Sequence, residues 1–176
     1  MSRRRCESTG VSRRRCAGSA RVVSVGVGAV GVQSRIDIVD THSGMEDVPL
    51  YDRLFAGGQG SVRGFRYRYV GPKAKRDIDG TFTRVRPQGG RTRALATAEY
   101  TMPVVDNVRL AGFVDAGNVW LDAYELRPDD LAVGAGIGLR LDIPNFPLRF
   151  DYAWPLQRDD PATRTQRFSF RIGHGF

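Results

Sequence analysis

The residues best suited to chemistry lie in Gly57-Gly58-Gln59-Gly60-Ser61-Val62-Arg63-Gly64-Phe65, where four glycines surround one arginine. Neither a strand nor a helix tolerates that glycine density. It belongs to backbone that bends sharply and approaches something closely. Arg63 is then a fork of donors on an irregular loop, offered to a carboxylate or a phosphate. Catalysis fits poorly. His42 and His174 are the only histidines, and no phosphate-binding glycine motif ends in Lys-Ser or Lys-Thr. Asp77-Ile78-Asp79-Gly80 hints at a calcium loop, but Gln88 stands where its closing glutamate belongs. No enzyme activity, no cofactor and no metal site are expected.

The charge is lopsided. The formal net charge is +8 and the isoelectric point about 10.2, which invites a nucleic-acid partner. Yet Arg3, Arg4, Arg5, Arg13, Arg14, Arg15 and Arg21 face only Glu7, so most of the excess sits at the start of the chain. Residues 1–31 read as a basic arm of unassigned role, solvated and disordered. Cys6 and Cys16 each end a Ser-Arg-Arg-Arg-Cys repeat, with no further ligand near enough for zinc and no basis for a disulfide framework.

The elements that must position Arg63 follow. Beyond Arg91 the chain alternates with period two, which excludes helix. In Arg93–Pro103, Ala94, Ala96, Ala98, Tyr100 and Met102 oppose Arg93, Thr97, Glu99 and Thr101. In Val108–Gly117, Val108, Leu110, Val114 and Ala116 oppose Arg109, Ala111, Phe113 and Asp115. In Leu131–Asp142, Leu131, Val133, Ala135, Ile137, Leu139 and Leu141 oppose Gly134, Gly136, Gly138, Arg140 and Asp142. Leu148, Phe150, Tyr152 and Trp154 alternate with Arg149 and Asp151, and Phe168, Phe170, Ile172, His174 and Phe176 with Ser169 and Arg171. A further strand is expected within Val32–Thr41, and Asp106-Asn107, Pro144-Asn145 and Asp159-Asp160-Pro161 carry turn chemistry.

No run reaches the roughly 18 to 20 apolar residues of a membrane helix. A barrel needs none. One face here is aliphatic and aromatic while the other carries Arg, Asp, Glu and Gly, and the segments approach the ~10 residues of a tilted membrane strand. The fold class is therefore all-β: an antiparallel up-and-down meander of about five to six strands, too few to close a barrel alone, since known ones start at about eight. The expectation is the C-terminal part of a transmembrane β-barrel over residues 32–176, with 56–90 as a long inward-folding loop, and a chain that is a fragment or an assembling subunit.

The order Ala56-Gly57-Gly58, Val62-Arg63-Gly64-Phe65, Gly71-Pro72, Ala98-Glu99-Tyr100, Phe113-Val114-Asp115-Ala116-Gly117-Asn118-Val119-Trp120, Gly134-Ala135-Gly136-Ile137-Gly138-Leu139-Arg140 and terminal Phe176 resembles the C-terminal barrel half of BamA-type outer-membrane assembly factors, the bacterial surface antigen family. The resemblance covers residues 35–176. It implies that the loop bearing Val62, Arg63, Gly64 and Phe65 lies in the lumen, with Arg63 paired to Glu99 and Asp115 on the inner wall. The alternation places those two acids on the polar face without reference to the family. It further implies an outer-membrane location and, as partners, the lipid bilayer, client outer-membrane proteins and other subunits of an assembly complex. Phe168, Phe170, Ile172 and Phe176 form a C-terminal strand of the kind by which barrels are recognised for assembly. No POTRA domain is present in these residues. The competing readings are a basic, soluble, nucleic-acid-binding β protein and a porin-like barrel fragment; no nucleic-acid partner is expected.

Overall fold

A computed structural model describes residues 12–41, 47–78, 82–143 and 146–173. His42, His174 and Phe176 lie outside them. Apart from one 3-10 turn at Pro128–Asp130, the described residues are strand and loop.

Seven strands form one antiparallel sheet: β1 (Ser12–Val25), β2 (Gly28–Thr41), β6 (Thr92–Val105), β7 (Val108–Trp120), β8 (Ala132–Ile143), β9 (Phe146–Gln157) and β11 (Phe168–Ile172), side by side in that order. This is a meander interrupted once, between β2 and β6. Four short strands fill the remaining chain. β3 (Gly64–Phe65) pairs with β10 (Thr165–Gln166), and β4 (Lys73–Ile78) forms a hairpin with β5 (Phe82–Pro87). The sheet is open, with β1 and β11 at its edges.

Two expectations change. The basic arm is not disordered over its described part, because β1 pairs with β2 from Ser12↔Thr41 to Val25↔Gly28. Nothing in Ser-Arg-Arg-Arg-Cys-Ala-Gly-Ser-Ala-Arg alternates. A two-residue turn at Gly26-Val27, with Gly26 at φ +59°, supplies the hairpin geometry, and β2 supplies the backbone ladder. Cys16 on β1 is disulfide-bonded. The main sheet accordingly has seven strands where about five to six were expected. Second, the tract 56–90, expected as a long inward-folding loop, contains short strands. It carries β3 and the β4–β5 hairpin, whose polar, basic residues show no periodicity.

The links divide by length. β1 joins β2, and β6 joins β7, through two residues each, and two residues separate β8 from β9; at the other end lie 42–91, 121–131 and 158–167. Short turns at one end and long loops at the other are the asymmetry of an outer-membrane barrel.

The buried apolar cluster is Val39, Val48, Leu54, Ala56, Val62, Phe65, Val70, Val119 and Ala132. Six of these come from the 47–70 stretch, and Val39, Val119 and Ala132 from β2, β7 and β8, so the core lies between the long loop and one face of the sheet. That inner face also buries Asp37, Asp115, Arg140 and Asp151. The outer face exposes Val114, Ile137, Tyr152, Trp154, Phe168, Phe170 and Ile172. Charges lie within and aliphatics without, the reverse of a soluble sandwich.

Candidate functional site

Arg63 reaches its partners because the backbone around it turns. Gly64 sits at φ +94°, a conformation that disfavours any side chain, and a Cβ there would stand 3.4 Å from the β9 backbone at Trp154 and Pro155. Glycine is also needed on the wall opposite. A Cβ at Gly134 would collide with the Arg63 carbonyl oxygen, and one at Gly138 with Asp151 and Arg140. Gly134 thus leaves room for the loop's backbone, and Gly138 for the Asp151 and Arg140 side chains.

The guanidinium is held on three sides. Its Nε donates to Asp115 Oδ2 at 2.6 Å and its Nη2 to Asp115 Oδ1 at 2.9 Å, a bidentate fork. Nη1 donates to Glu99 Oε2 at 2.7 Å and lies 3.7 Å from Asp151 Oδ1. The Arg63 backbone N–H adds a bond to Asp115 Oδ2 at 3.1 Å. Below it, the Phe113 ring centroid is 3.4 Å from Cζ, a cation–π contact. Burial alone would depress the guanidinium's pKa, but the hydrogen bonds and charges of Asp115 and Glu99 outweigh it and push it above its ordinary value. The side chain stays cationic throughout the pH range of a folded protein. Phe65, 1 % exposed, anchors the loop's apolar side in the core.

Residues that the sequence did not single out complete the cage. Arg140 donates to Glu99 Oε1 and Oε2 at 3.2 and 3.1 Å and to Asp151 Oδ1 at 2.6 Å. Two guanidiniums and three carboxylates therefore share one buried network. The alternation puts Arg140 and Asp151 on the polar face; only the register, which a sequence does not display, brings them to Glu99.

Two further clusters hold the loop. Asp37 accepts from Arg93 Nη2 at 2.6 Å and from Arg35 Nε at 2.8 Å, while Arg93 Nη1 donates to the Phe55 carbonyl at 2.8 Å. Lys73 Nζ and the Gly71 N–H both donate to Asp159 Oδ2 at 2.9 Å, and Thr163 Oγ1 donates to Oδ1 at 2.7 Å. The Lys73 and Asp159 side chains are 1 % and 4 % exposed. Together with the pairings Thr165↔Phe65 and Gln166↔Gly64, this ties the loop to the segment that leads into β11.

At β11, Phe168, Phe170 and Ile172 point outward at 56, 45 and 55 % exposure. Phe170 packs on Phe150 with ring centroids 4.9 Å apart. Gly173, at φ +107°, departs from the extended conformation. Among the described residues no group of three or more His, Cys, Asp or Glu side chains could hold a metal ion. No helix among them is long and apolar enough to cross a membrane.

The Omp85 superfamily domain matches residues 18–176. The chain belongs to the Omp85 superfamily. Among curated relatives, the outer membrane protein assembly factor BamA of Neisseria meningitidis serogroup B is 26 % identical, the match covering 80 % of this chain and 21 % of that protein. The protein of the same name from Nitratidesulfovibrio vulgaris is 31 % identical over 77 % of this chain and 17 % of its own length. The crystal structure of BamA from Haemophilus ducreyi lacking POTRA domains 1–3 superposes with a TM-score of 0.76 at 26 % identity, covering 91 % of this chain and 34 % of that one. The chain thus spans about a fifth of the length of the curated relatives it matches.

This Omp85 segment is part of an outer-membrane β-barrel. The superfamily match begins at residue 18, inside β1, and so takes in residues that the sequence resemblance left out.

Proposed function

We propose that this Omp85 segment serves in an outer-membrane protein assembly factor, where it helps insert client β-barrel proteins. The observation that carries the reading is the pinned loop. A buried fork from Arg63 to Asp115 and Glu99 holds an irregular, glycine-rich segment against the wet face of a sheet whose other face is apolar. An open porin-type channel has no need of such an anchor. A stacking surface for single-stranded nucleic acid would want solvent-facing basic residues among its aromatics; Tyr152, Trp154, Phe168 and Phe170 share their face with Val114, Ile137 and Ile172.

Insertion without nucleotide chemistry follows from strand pairing. A sheet edge in lipid leaves backbone N–H and C=O groups unsatisfied, at several kcal/mol each. A client strand added to the β11 edge satisfies them by β-augmentation. Phe168, Phe170 and Ile172 keep the outer side of that edge compatible with acyl chains, while Gly173 limits how far the pairing runs. The Arg63 cage does no bond-making chemistry. Its part is to fix the loop, and through Lys73–Asp159 and β3–β10 the segment ahead of β11.

The test is complementation. A strain depleted of its resident assembly factor, supplied with the intact protein carrying Arg63→Ala, should lose client insertion and show a less heat-stable barrel. Wild-type levels of both would remove the reading. A salt-sensitive mobility shift of labelled RNA by the purified protein would favour the nucleic-acid alternative.

A further inference from the structure

Directly after the pinned Val62-Arg63-Gly64-Phe65 run the chain reads Arg66-Tyr67-Arg68-Tyr69. We infer that this turn, with Arg164 beside it, is a phosphate-binding site that meets lipid headgroups at the long-loop end of the barrel. The Tyr69 N–H donates to the Arg66 carbonyl at 3.0 Å, which closes a β-turn with Tyr67 and Arg68 at its centre. Arg68 sits at φ +65°, a conformation that a residue with a side chain adopts only where its surroundings impose it. Here they do. A Cβ at Gly57 would collide with the Arg66 carbonyl oxygen, and one at Gly58 would come within 3.3 Å of Tyr67 Cα, so the two glycines let the turn seat closely. The bridge Ala56↔Val70 closes it from behind, and the Arg66 N–H donates to the Arg164 carbonyl at 2.9 Å, which brings the 158–167 link alongside.

Three guanidiniums gather here on aromatic rings. Arg66 and Arg164 share Tyr69, with Cζ 5.5 and 5.4 Å from its centroid, and Arg68 lies 4.6 Å from the Phe55 centroid and 5.2 Å from that of Tyr67. A ring attracts the charge but offers no in-plane acceptor to the N–H groups. Among the described residues no carboxylate takes them up. The acids of the adjoining link are committed elsewhere: Asp159 accepts from Lys73, the Gly71 N–H and Thr163, and Asp160 Oδ1 accepts from the Ala162 N–H at 2.6 Å. Arg66, Tyr67, Arg68 and Arg164 are all exposed. Arg63 carries its carboxylates with it, whereas this cluster holds like charges together with their donors unspent. A group with several acceptor oxygens and a charge of about −1.5 to −2 answers more of those donors than a carboxylate does, and a phosphomonoester is such a group.

Height selects the source. Gly64 packs on the β9 backbone at Trp154, whose side chain is exposed on the outer face, where an aromatic belongs to the girdle at headgroup level. The turn begins two residues after Gly64. Gly71, just beyond it, packs on Val119 at the end of β7 that leads into a long link. The three arginines therefore stand near the height of the headgroups, on the side where an outer-membrane barrel carries its longer, extracellular loops. The inference draws on the barrel's place in the membrane and not on the insertion of clients.

Native mass spectrometry of the intact protein, released from detergent micelles containing either phosphatidic acid or phosphatidylcholine, reads the site. Phosphatidic acid presents a phosphomonoester and should be retained about tenfold more tightly than phosphatidylcholine, the worth of a charge-assisted contact. The double variant Arg66→Gln/Arg68→Gln, and Arg164→Gln alone, should each erase that preference while the barrel keeps its heat-modifiable mobility, because the side chains removed are exposed. Arg109→Gln takes an exposed arginine from the short-turn end and should leave the preference intact. Equal retention of the two lipids, or the same loss from Arg109→Gln, overturns the site. Inorganic phosphate displacing phosphatidic acid at a matching concentration overturns the assignment to a lipid, and so does an oligoglutamate peptide that binds more tightly than phosphatidic acid. Client insertion, measured separately, keeps the two readings apart: normal insertion without lipid preference sinks this inference and leaves the proposed function standing.

Discussion

The two faces of one sheet obey opposite rules. Along β7, Leu110 and Val114 are 45 and 47 % exposed, while their neighbours Phe113 and Asp115 are 4 and 0 % exposed. Along β8, Ile137 is 58 % exposed and Arg140 only 5 %. In water this ordering is upside down, since apolar side chains gain by leaving solvent and charges lose by it. It becomes sensible when the solvent outside is acyl chain and the charges inside are matched by protein partners. Asp115 is tolerated at full burial because Arg63 gives it three hydrogen bonds, two from the side chain and one from the backbone. Ile137 is tolerated in the open because nothing polar competes for its place in lipid.

Substitutions on each face break or sharpen this contrast. The largest effect belongs to the cage. Arg63→Ala leaves Asp115 buried beside Glu99 with its main cation gone, and should cost about 3 to 5 kcal/mol, read as a lowered midpoint in urea for the detergent-folded barrel. Next is the outer face. Ile137→Arg should cost about 2 to 4 kcal/mol if the residue lies near the bilayer midplane, measured by folding into phospholipid vesicles. In a water-soluble sheet the same change at so exposed a site would be nearly silent.

Smaller again is Asp159→Asn. It keeps the side chain's shape but removes the charge that receives Lys73, so a loss of roughly 1.5 to 3 kcal/mol is expected. Protease cutting within the 47–91 loop should accelerate in parallel, because this pair ties the loop to the 158–167 segment. The smallest is Arg109→Ala. Its partner Asp142 offers the same fork-to-carboxylate chemistry as Asp115, but the two side chains are 51 and 40 % exposed. The loss should stay within about 1 kcal/mol in the same urea experiment. A cost near that of Arg63→Ala would mean that burial is not what separates the two pairs.

The same contrast explains what could be read from the residues alone. Period two shows which side chains share a face, so Glu99 and Asp115 stood out opposite Tyr100 and Val114, and the strands from β6 onward were legible. Register is a different kind of information. Nothing in the spacing of Arg140 and Asp151 says that they come together with Glu99, and Lys73 and Asp159 are 86 residues apart. β1 escaped notice for a physical reason too. An edge strand drawn into place by its neighbour's backbone does not have to alternate, and Ser19 Oγ bonding Ser34 Oγ at 2.8 Å is a side-chain contact that no hydrophobic pattern announces. Gly134 was visible as a residue on the polar face, yet its purpose, leaving room for the Arg63 carbonyl, depends on the loop lying there.

Lipid contact at the two tryptophans tests the central claim most directly. Trp154 stands on the outer face at 42 % exposure, and Trp120, at the loop end of β7, is buried at 6 %. In vesicles of brominated phospholipid, Trp154→Phe should remove a strongly quenched part of the fluorescence, and Trp120→Phe should remove only emission that bromine does not reach. If the part lost with Trp120 is the quenched one and the part lost with Trp154 is untouched by bromine, the apolar face does not meet the membrane and the account is wrong.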